Sequence, residues 1–507
     1  MTRKAEPVAA RVPGYNWYAL GLLALVYCTN FVDRQILSIL ANDIKADLAI
    51  GDAELGFLYG TAFAVFYALL GIPLGRLADS THRIRLLSLG LALWSAATVL
   101  SGLAKGYGQL ALARIGVGVG EASANPCAYS LIADWFPAPM RGTAIAIYSA
   151  GLFVGSGLSL WLGGFIVESW ALAYPENAPF GLAGWQVAFI AVGLPGLLLA
   201  LWLLTLREPA RAGTVSLKEA LRLFGSQCAR IVPPFTLLAA MRQGRAALLQ
   251  NVAGAGVIAL VCAILALVLG NTEQFALIAV AYYAVYSWIG HTRAEDPDCH
   301  AQTWGNSAFI AIVGLYACTS YVGYSVTYWA APYAERTFAL GKADLGLLIG
   351  APNALGGFLG ILAGGWAADR LLRVSVSGRL WVASAAVVLP VPLVLVGYAT
   401  SNQTLFLICN LLTQFATASA LGACASASQA LVDERLRGRA SALFLLGPTL
   451  VGLCFGPFAV GLVSERTGDL ALGVMASLVA AVPAAAFLWL GLRSYPEAVA
   501  RMAQRPS

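Results

Sequence analysis

The chain has 507 residues, 59% of them hydrophobic and 11% charged, with a mean hydropathy of +0.75. Soluble domains carry charges on about a quarter of their residues, so this composition excludes a water-soluble globule; apolar runs of about 20 residues point to membrane helices rather than to the short alternating strands of a barrel. The net charge of +6 is modest and its basic residues lie in short loops, with no stripe that would mark a nucleic-acid partner.

The opening stretch, MTRKAEPVAARVPG, lacks the apolar core of a signal peptide, so the first span is expected to stay in place and start insertion itself. Apolar runs follow at 15–40, 55–78, 84–103, 107–132, 142–168 and 184–206. The segment 207–250 is polar and basic. Within it SLKEALRLFG at 216–225 reads as a short amphipathic helix, with Ser216 as cap and Glu219 completing a capping box; it lies on the inner membrane surface or serves as a solvated linker. Runs at 251–270 and 275–290, turned by NTEQ at 271–274, read as a hydrophobic hairpin. They count as two spans, with a re-entrant or surface hairpin as the alternative because the second run is short. Six more runs follow, at 305–333, 345–368, 379–400, 403–430, 440–463 and 470–492. The expected organisation is all-α: an N-terminal six-helix bundle (1–206), a linker carrying the amphipathic helix and the hairpin (207–304), and a C-terminal six-helix bundle with a tail (305–507).

With the N-terminus inside, only Lys45, Lys105, Arg336, Lys342 and Arg466 fall outside, while Arg34 and Arg114 lie within spans. The remaining basic residues are then inside, which places both termini in the cytoplasm. Nine cysteines are scattered, mostly within apolar runs and with no CxxC, as small buried hydrophobes are. His82, His291 and His300 fall in expected loops without metal spacing. The GVGVG at 116–120 is mid-span and reads as a helix-packing run, not a nucleotide fingerprint. No metal or cofactor is expected.

The two halves repeat each other. DAELGFLYG at 52–60 corresponds to KADLGLLIG at 342–350, GRLAD at 75–79 to GWAAD at 365–369, and CTNFVDRQ at 28–35 to CTSYVGYS at 318–325, all at one offset; MRGTAIAIYSAG at 140–151 matches LRGRASALFLLG at 436–447. The six-span halves are therefore parallel repeats. What the fold needs should occur twice. Asp33 and Arg34 become Gly323 and Tyr324; Arg114 and Glu121 become Asn410 and Thr417. Each such charge costs about 2.5–3.5 kcal/mol at a helix centre, so something other than folding retains them.

Neighbours on a helix point about 100° apart, so Asp33 and Arg34 cannot pair with each other, whereas Arg114 and Glu121, seven apart, share one face. If spans one and four are neighbours, Asp33 can pair with Arg114, and Arg34 or Arg114 can answer Glu121. The quartet sums to zero, as a desolvated cluster should. It is either a salt-bridge lock between helices or a proton relay whose ion pairs bias two conformers. Asn410, Gln414 and Thr417 line the equivalent face of the C-terminal half, and Tyr321, Tyr324 and Tyr328 stand on its first span. Turned inward, they suit an amphiphile; otherwise they are interhelical packing. GRLADSTHRIR at 75–85 (Gly75, Asp79, Arg83), with a second copy at Gly365, Asp369 and Arg370, occurs in both halves and so reads as a structural or conformational loop, its glycines allowing close backbone approach.

The repeats and the GRLAD loop resemble the major facilitator superfamily. NFVDRQILSIL at 30–40, RIGVGVGEASANPCAYSLIADWFP at 114–137 and REPAR at 207–211 resemble its spinster-like family, with His82 standing where the loop usually has Gly. The resemblance implies an alternating-access carrier of lysophospholipid- or sphingolipid-like molecules in a bacterial inner membrane. It assigns proton coupling to Asp33 and Glu121, and charge balance and head-group contact to Arg34 and Arg114. The expected partners are an amphiphilic substrate, protons and membrane lipids, with the chain a monomer. A proton-coupled symporter of small organic anions and a multidrug/proton antiporter are the rival readings. A lipid-modifying enzyme finds no catalytic set.

Overall fold

The computed structural model describes residues 12–209, 215–338 and 340–504, all helices, turns and loops; Ala210 and Arg211 of the REPAR run lie outside the described residues. The first bundle comprises α1 (Gly14–Leu48), α2 (Asp52–Tyr59), α3 (Thr61–Ser80), α4 (Arg83–Ser101), α5 (Tyr107–Glu121), α6 (Ala124–Trp135), α7 (Ala138–Ala173) and α8 (Gly184–Leu203). The linker holds α9 (Leu217–Ile231), α10 (Phe235–Gln243), α11 (Arg245–Leu269), α12 (Thr272–Glu295) and α13 (Pro297–Gln302). The second bundle comprises α14 (Ser307–Phe338), α15 (Lys342–Leu372), α16 (Gly378–Val388), α17 (Pro390–Ala399), α18 (Gln403–Gln429), α19 (Arg437–Gly447), α20 (Cys454–Thr467), α21 (Leu470–Ala476) and α22 (Ala481–Ala503).

Among the described residues, 12 helices are long and apolar enough to cross a membrane. This set differs from the sequence count. It includes α11 but not α12, and it omits the fourth run, which breaks into α5 and α6 at Ala122–Ser123 and carries Arg114 and Glu121. The first run does not stop at residue 40. Helix α1 continues to Leu48 because its last turns, NDIKAD, are polar but helix-compatible and are tied to the second bundle. The hairpin turn is tighter than expected, at Gly270 and Asn271, both in the left-handed region (φ +79° and +57°). Ser216 caps α9: its amide donates to Glu219 Oε2 at 2.9 Å and its Oγ accepts from the Glu219 amide at 3.4 Å. The Ser216 amide, with Ser216 Oγ donating to the same Oε2 at 2.8 Å, holds the exposed Glu219 carboxyl below its usual range.

The repeat is visible in the packing. Ser38 Oγ donates to the Tyr328 carbonyl at 2.7 Å and Asn42 Nδ2 to the Pro332 carbonyl at 3.3 Å, each pair 290 residues apart. The first helices of the two bundles thus meet at equivalent positions, as helices beside a pseudo-twofold axis do. Two equivalent seams flank that axis, α2–α3 against α20 and α15 against α7. The shared glycines do one task in both. A Cβ on Gly56 would stand 2.5 Å from the Pro457 carbonyl oxygen and one on Gly346 2.3 Å from that of Leu160; at Gly60 and Gly350 the distances are 2.1 Å to Leu453 and 2.6 Å to Gly157. The loop glycines behave otherwise. Gly365 has nothing within 4 Å and Gly75 only Pro126 at 3.9 Å, so they do not serve close approach. The GVGVG run packs as expected, Gly118 against the Phe63 carbonyl and Gly120 against that of Gly90.

Candidate functional site: a buried charge quartet below a latched end

Helices α1 and α5 bring Asp33, Arg34, Arg114 and Glu121 together in the core, none more than 8% exposed. Arg34 answers Glu121: its Nη2 and Nε donate to Glu121 Oε2 at 2.6 and 3.2 Å. Arg114 does not pair with Asp33. Its Nη1 donates instead to the Asp33 main-chain carbonyl at 3.1 Å and its Nη2 to that of Arg34 at 3.5 Å. The reason is rotational: with Arg34 aimed at Glu121, the Asp33 side chain on the same helix turns toward Trp94 and Thr98 of α4. Both Asp33 carboxylate oxygens, Trp94 Nε1, Glu121 Oε1 and Arg114 Nε stay without a full hydrogen bond. The equal depth expected of Asp33 and Arg114 is present; the ion pair between them is not.

Sequence reasoning missed the rings around Arg34. Phe31, Phe63 and Tyr67 stack on its guanidinium with centroids 4.7, 4.5 and 5.2 Å away. Phe31, three residues before Arg34, was findable from helical spacing; Phe63 and Tyr67 come from α3. Asn125 Nδ2 donates to Tyr67 Oη at 3.2 Å and Asn125 Oδ1 accepts from Tyr148 Oη at 3.1 Å; Tyr148 stacks on Tyr27 at 4.4 Å, which extends the aromatic surface.

The C-terminal half presents a neutral counterpart. Gly323 faces Thr417, whose Oγ1 lies 3.4 Å from where a Cβ would sit, mirroring α1 against Glu121. Gln414 donates to Thr327 Oγ1 at 2.7 Å and Asn410 to Asn353 Oδ1 at 2.6 Å. Tyr328 stacks on Tyr59 at 5.0 Å, stands 6.4 Å from Tyr324, and leaves its hydroxyl unpartnered beside the quartet. Tyr321 stands apart, its carbonyl accepting from Ser325 Oγ at 2.7 Å.

At the end holding the chain termini, Arg83 is buried and gripped by Asp134 at 2.6 Å and Glu208 at 2.7 Å, which ties the loop motif to the REPAR run. Asp369 is exposed, and Arg370 leans over Trp366 at 6.0 Å. At the opposite end the two bundles are latched. Asp52 takes Lys45 at 2.6 Å, Arg336 at 2.8 Å and Ser464 at 2.6 Å; Lys342 takes Asp43, and Glu335 at 3.0 Å. The repeat relates Lys45 to Glu335 and Asp52 to Lys342, so each half carries the same short pair with the charges reversed.

The arrangement is two bundles about a pseudo-axis, latched at one end, with a quartet of acidic and basic side chains in the middle of the N-terminal bundle. A family model, the Major Facilitator Superfamily, matches residues 23–292. An MFS-type efflux pump of Mycolicibacterium smegmatis is 27% identical over 457 residues, covering 90% of this chain and 86% of that one. Protein spinster of Drosophila melanogaster is 30% identical over 196 residues, 39% of this chain and 30% of that one. A solved bacterial homologue of the human lysosomal transporter Spinster, inward-facing and occupied, superposes with a TM-score of 0.71 at 24% identity, covering 96% of this chain and 98% of that one. Fold, repeat and match agree: this multi-pass membrane chain belongs to the Major Facilitator Superfamily, a transporter with spinster proteins among its relatives.

Proposed function

We propose that this transporter moves an amphiphilic, lipid-like molecule by alternating access, driven by protons exchanged at Asp33 and Glu121, in a bacterial inner membrane with both termini cytoplasmic. The observation that carries the reading is the asymmetry within the quartet: Glu121 is paired with Arg34, while the fully buried Asp33 carboxylate makes no salt bridge, the nearby Arg114 spending its guanidinium on main-chain carbonyls. A proton taken up at Glu121 dissolves its ion pair and frees the Arg34 guanidinium for an anionic head group. A proton on Asp33 removes a lone charge from the α1–α4 interface, so the helices can shift without carrying it through a low-dielectric core. The rings about Arg34, with Tyr324 and Tyr328 opposite, supply apolar surface for a tail. The spinster resemblance favours a lysophospholipid or sphingolipid-like substrate; the efflux-pump relative favours outward transport, with a multidrug/proton antiporter as the second reading.

Reconstituted vesicles with an imposed pH gradient and a fluorescent lysophosphatidylethanolamine test the proposal. The native chain should move the probe only with the gradient. Asp33→Asn and Glu121→Gln should each insert normally and lose at least about ten-fold of gradient-dependent transport, the scale of one removed interaction worth 1.4 kcal/mol or more. Undiminished transport by both variants refutes the relay. Competition by ethidium favours drug efflux, and competition by sugar acids an organic-anion symporter.

A further inference from the structure

The repeat gives the molecule two equivalent seams between its bundles, yet among the described residues only one carries an extra element. Helix α12 runs along the α3–α20 seam, and its attachments to the two sides differ in kind. Toward the second bundle it is bonded. Gln274 Nε2 donates to the Cys454 carbonyl at 3.3 Å, where Thr61 Oγ1 of α3 also donates at 2.9 Å; Tyr282 Oη donates to the Leu450 carbonyl at 3.4 Å. Phe275 and Tyr282 meet Phe458 and Phe455 edge-on, at 5.8 and 6.2 Å. The acceptor carbonyls lie in and just after a π-helical turn, Pro448–Leu453, whose widened backbone leaves carbonyls in need of outside donors. Both ends of the hairpin are tied to the same bundle. Arg466 donates to the Val268 and Leu269 carbonyls at 3.2 and 2.9 Å at the tip. At the base Asp296 pairs with Arg439, Asp298 with Arg435, and Gln302 donates to Asp433 at 2.7 Å.

Toward the first bundle the contact is apolar. Ala68, Leu69 and Ile72 of α3 face Ala284, Val285 and Trp288 of α12 around a small apolar hollow that Ile231 of α9 and Leu446 of α19 complete; Glu273 approaching Tyr107 at the tip is the polar exception. Apolar surfaces can shift past one another without stranding a donor. Buried hydrogen bonds in hydrocarbon cannot.

We propose that the α11–α12 hairpin is bolted to the C-terminal bundle and travels with it, its α12 face sliding on α3 to keep that seam closed to the bilayer while the bundles rock. This holds whatever the substrate.

Distances between spin labels in the full-length chain test it. Of the free cysteines only Cys228 is not buried, so Cys228→Ser is the background. Leu267→Cys on the hairpin tip, Leu103→Cys on the first bundle and Leu472→Cys on the second are exposed positions near the latched end. Measurements are made with the latch intact and with it broken by Arg336→Glu and Lys342→Glu. The expected result is one unchanged Leu267–Leu472 distance, with Leu267–Leu103 and Leu103–Leu472 lengthening together. A Leu267–Leu472 distance that changes while Leu267–Leu103 holds, or three unchanged distances, overturns the proposal. Removing the three donors (Gln274→Leu, Tyr282→Phe, Arg466→Ala) should broaden the Leu267–Leu472 distribution, and an unchanged width also overturns it.

Discussion

At the scale of single residues, the Arg34–Glu121 pair and the unpaired Asp33 respond differently to neutral replacement. Glu121→Gln leaves a buried guanidinium without its partner, and breaking a buried pair costs about 3–5 kcal/mol. Arg34→Met together with Glu121→Gln removes both charges and should regain most of that loss in thermal unfolding. Asp33→Asn has no pair to break and should leave the unfolding temperature within a few degrees of the native chain. If the Glu121→Gln single and double variants unfold alike, the pair does not hold the helices. The four positions were legible because the second half acts as a control: Gly323, Tyr324, Asn410 and Thr417 show that the fold manages without charge there. The direction of Asp33 was not legible. Helical geometry fixes the angle between Asp33 and Arg34, but not which neighbour claims which side, and Glu121 claiming Arg34 decides it.

At the scale of elements, the glycines of α2–α3 and α15 explain why one motif is written twice: Gly56 and Gly346 let backbones of opposite bundles touch. Gly346→Val should hold the seam apart and expose Ser38→Cys, a buried position bonded to Tyr328 in the native chain, to a membrane-impermeant maleimide with a several-fold rise in labelling. Gly365→Val, on the same helix with nothing within 4 Å, should leave labelling unchanged; equal effects would mean that the glycine contacts do not set the closure. Element existence was readable from apolar runs, and the α9 cap from four residues. The breaks were not. Gly60 interrupts α2–α3 where the Leu453 carbonyl presses on it, and α5 stops after Glu121; both are tertiary matters that hydropathy does not see.

At the scale of the whole molecule, the latch decides which end is shut. Lys342→Met would strand Asp43 and Glu335 together and should open that end, read as a rise in Ser38→Cys labelling; adding Asp43→Asn and Glu335→Gln should return it toward the native level. No recovery would mean that Lys342 acts by packing rather than charge. In the sequence Lys342 looked like a stray from the basic side, since its partner Asp43 lies in the other half and pairing of halves is not written in either one alone. The charge reversal carries a consequence for assembly. Set two copies of the N-terminal half face to face on the same axis, and Asp43 of one meets Asp52 of the other; two C-terminal halves bring Arg336 against Lys342. Like charges in such places repel by several kcal/mol. Self-pairing of either half is therefore disfavoured, and only unlike halves dock, so the pattern of four charged positions tells each bundle its proper mate.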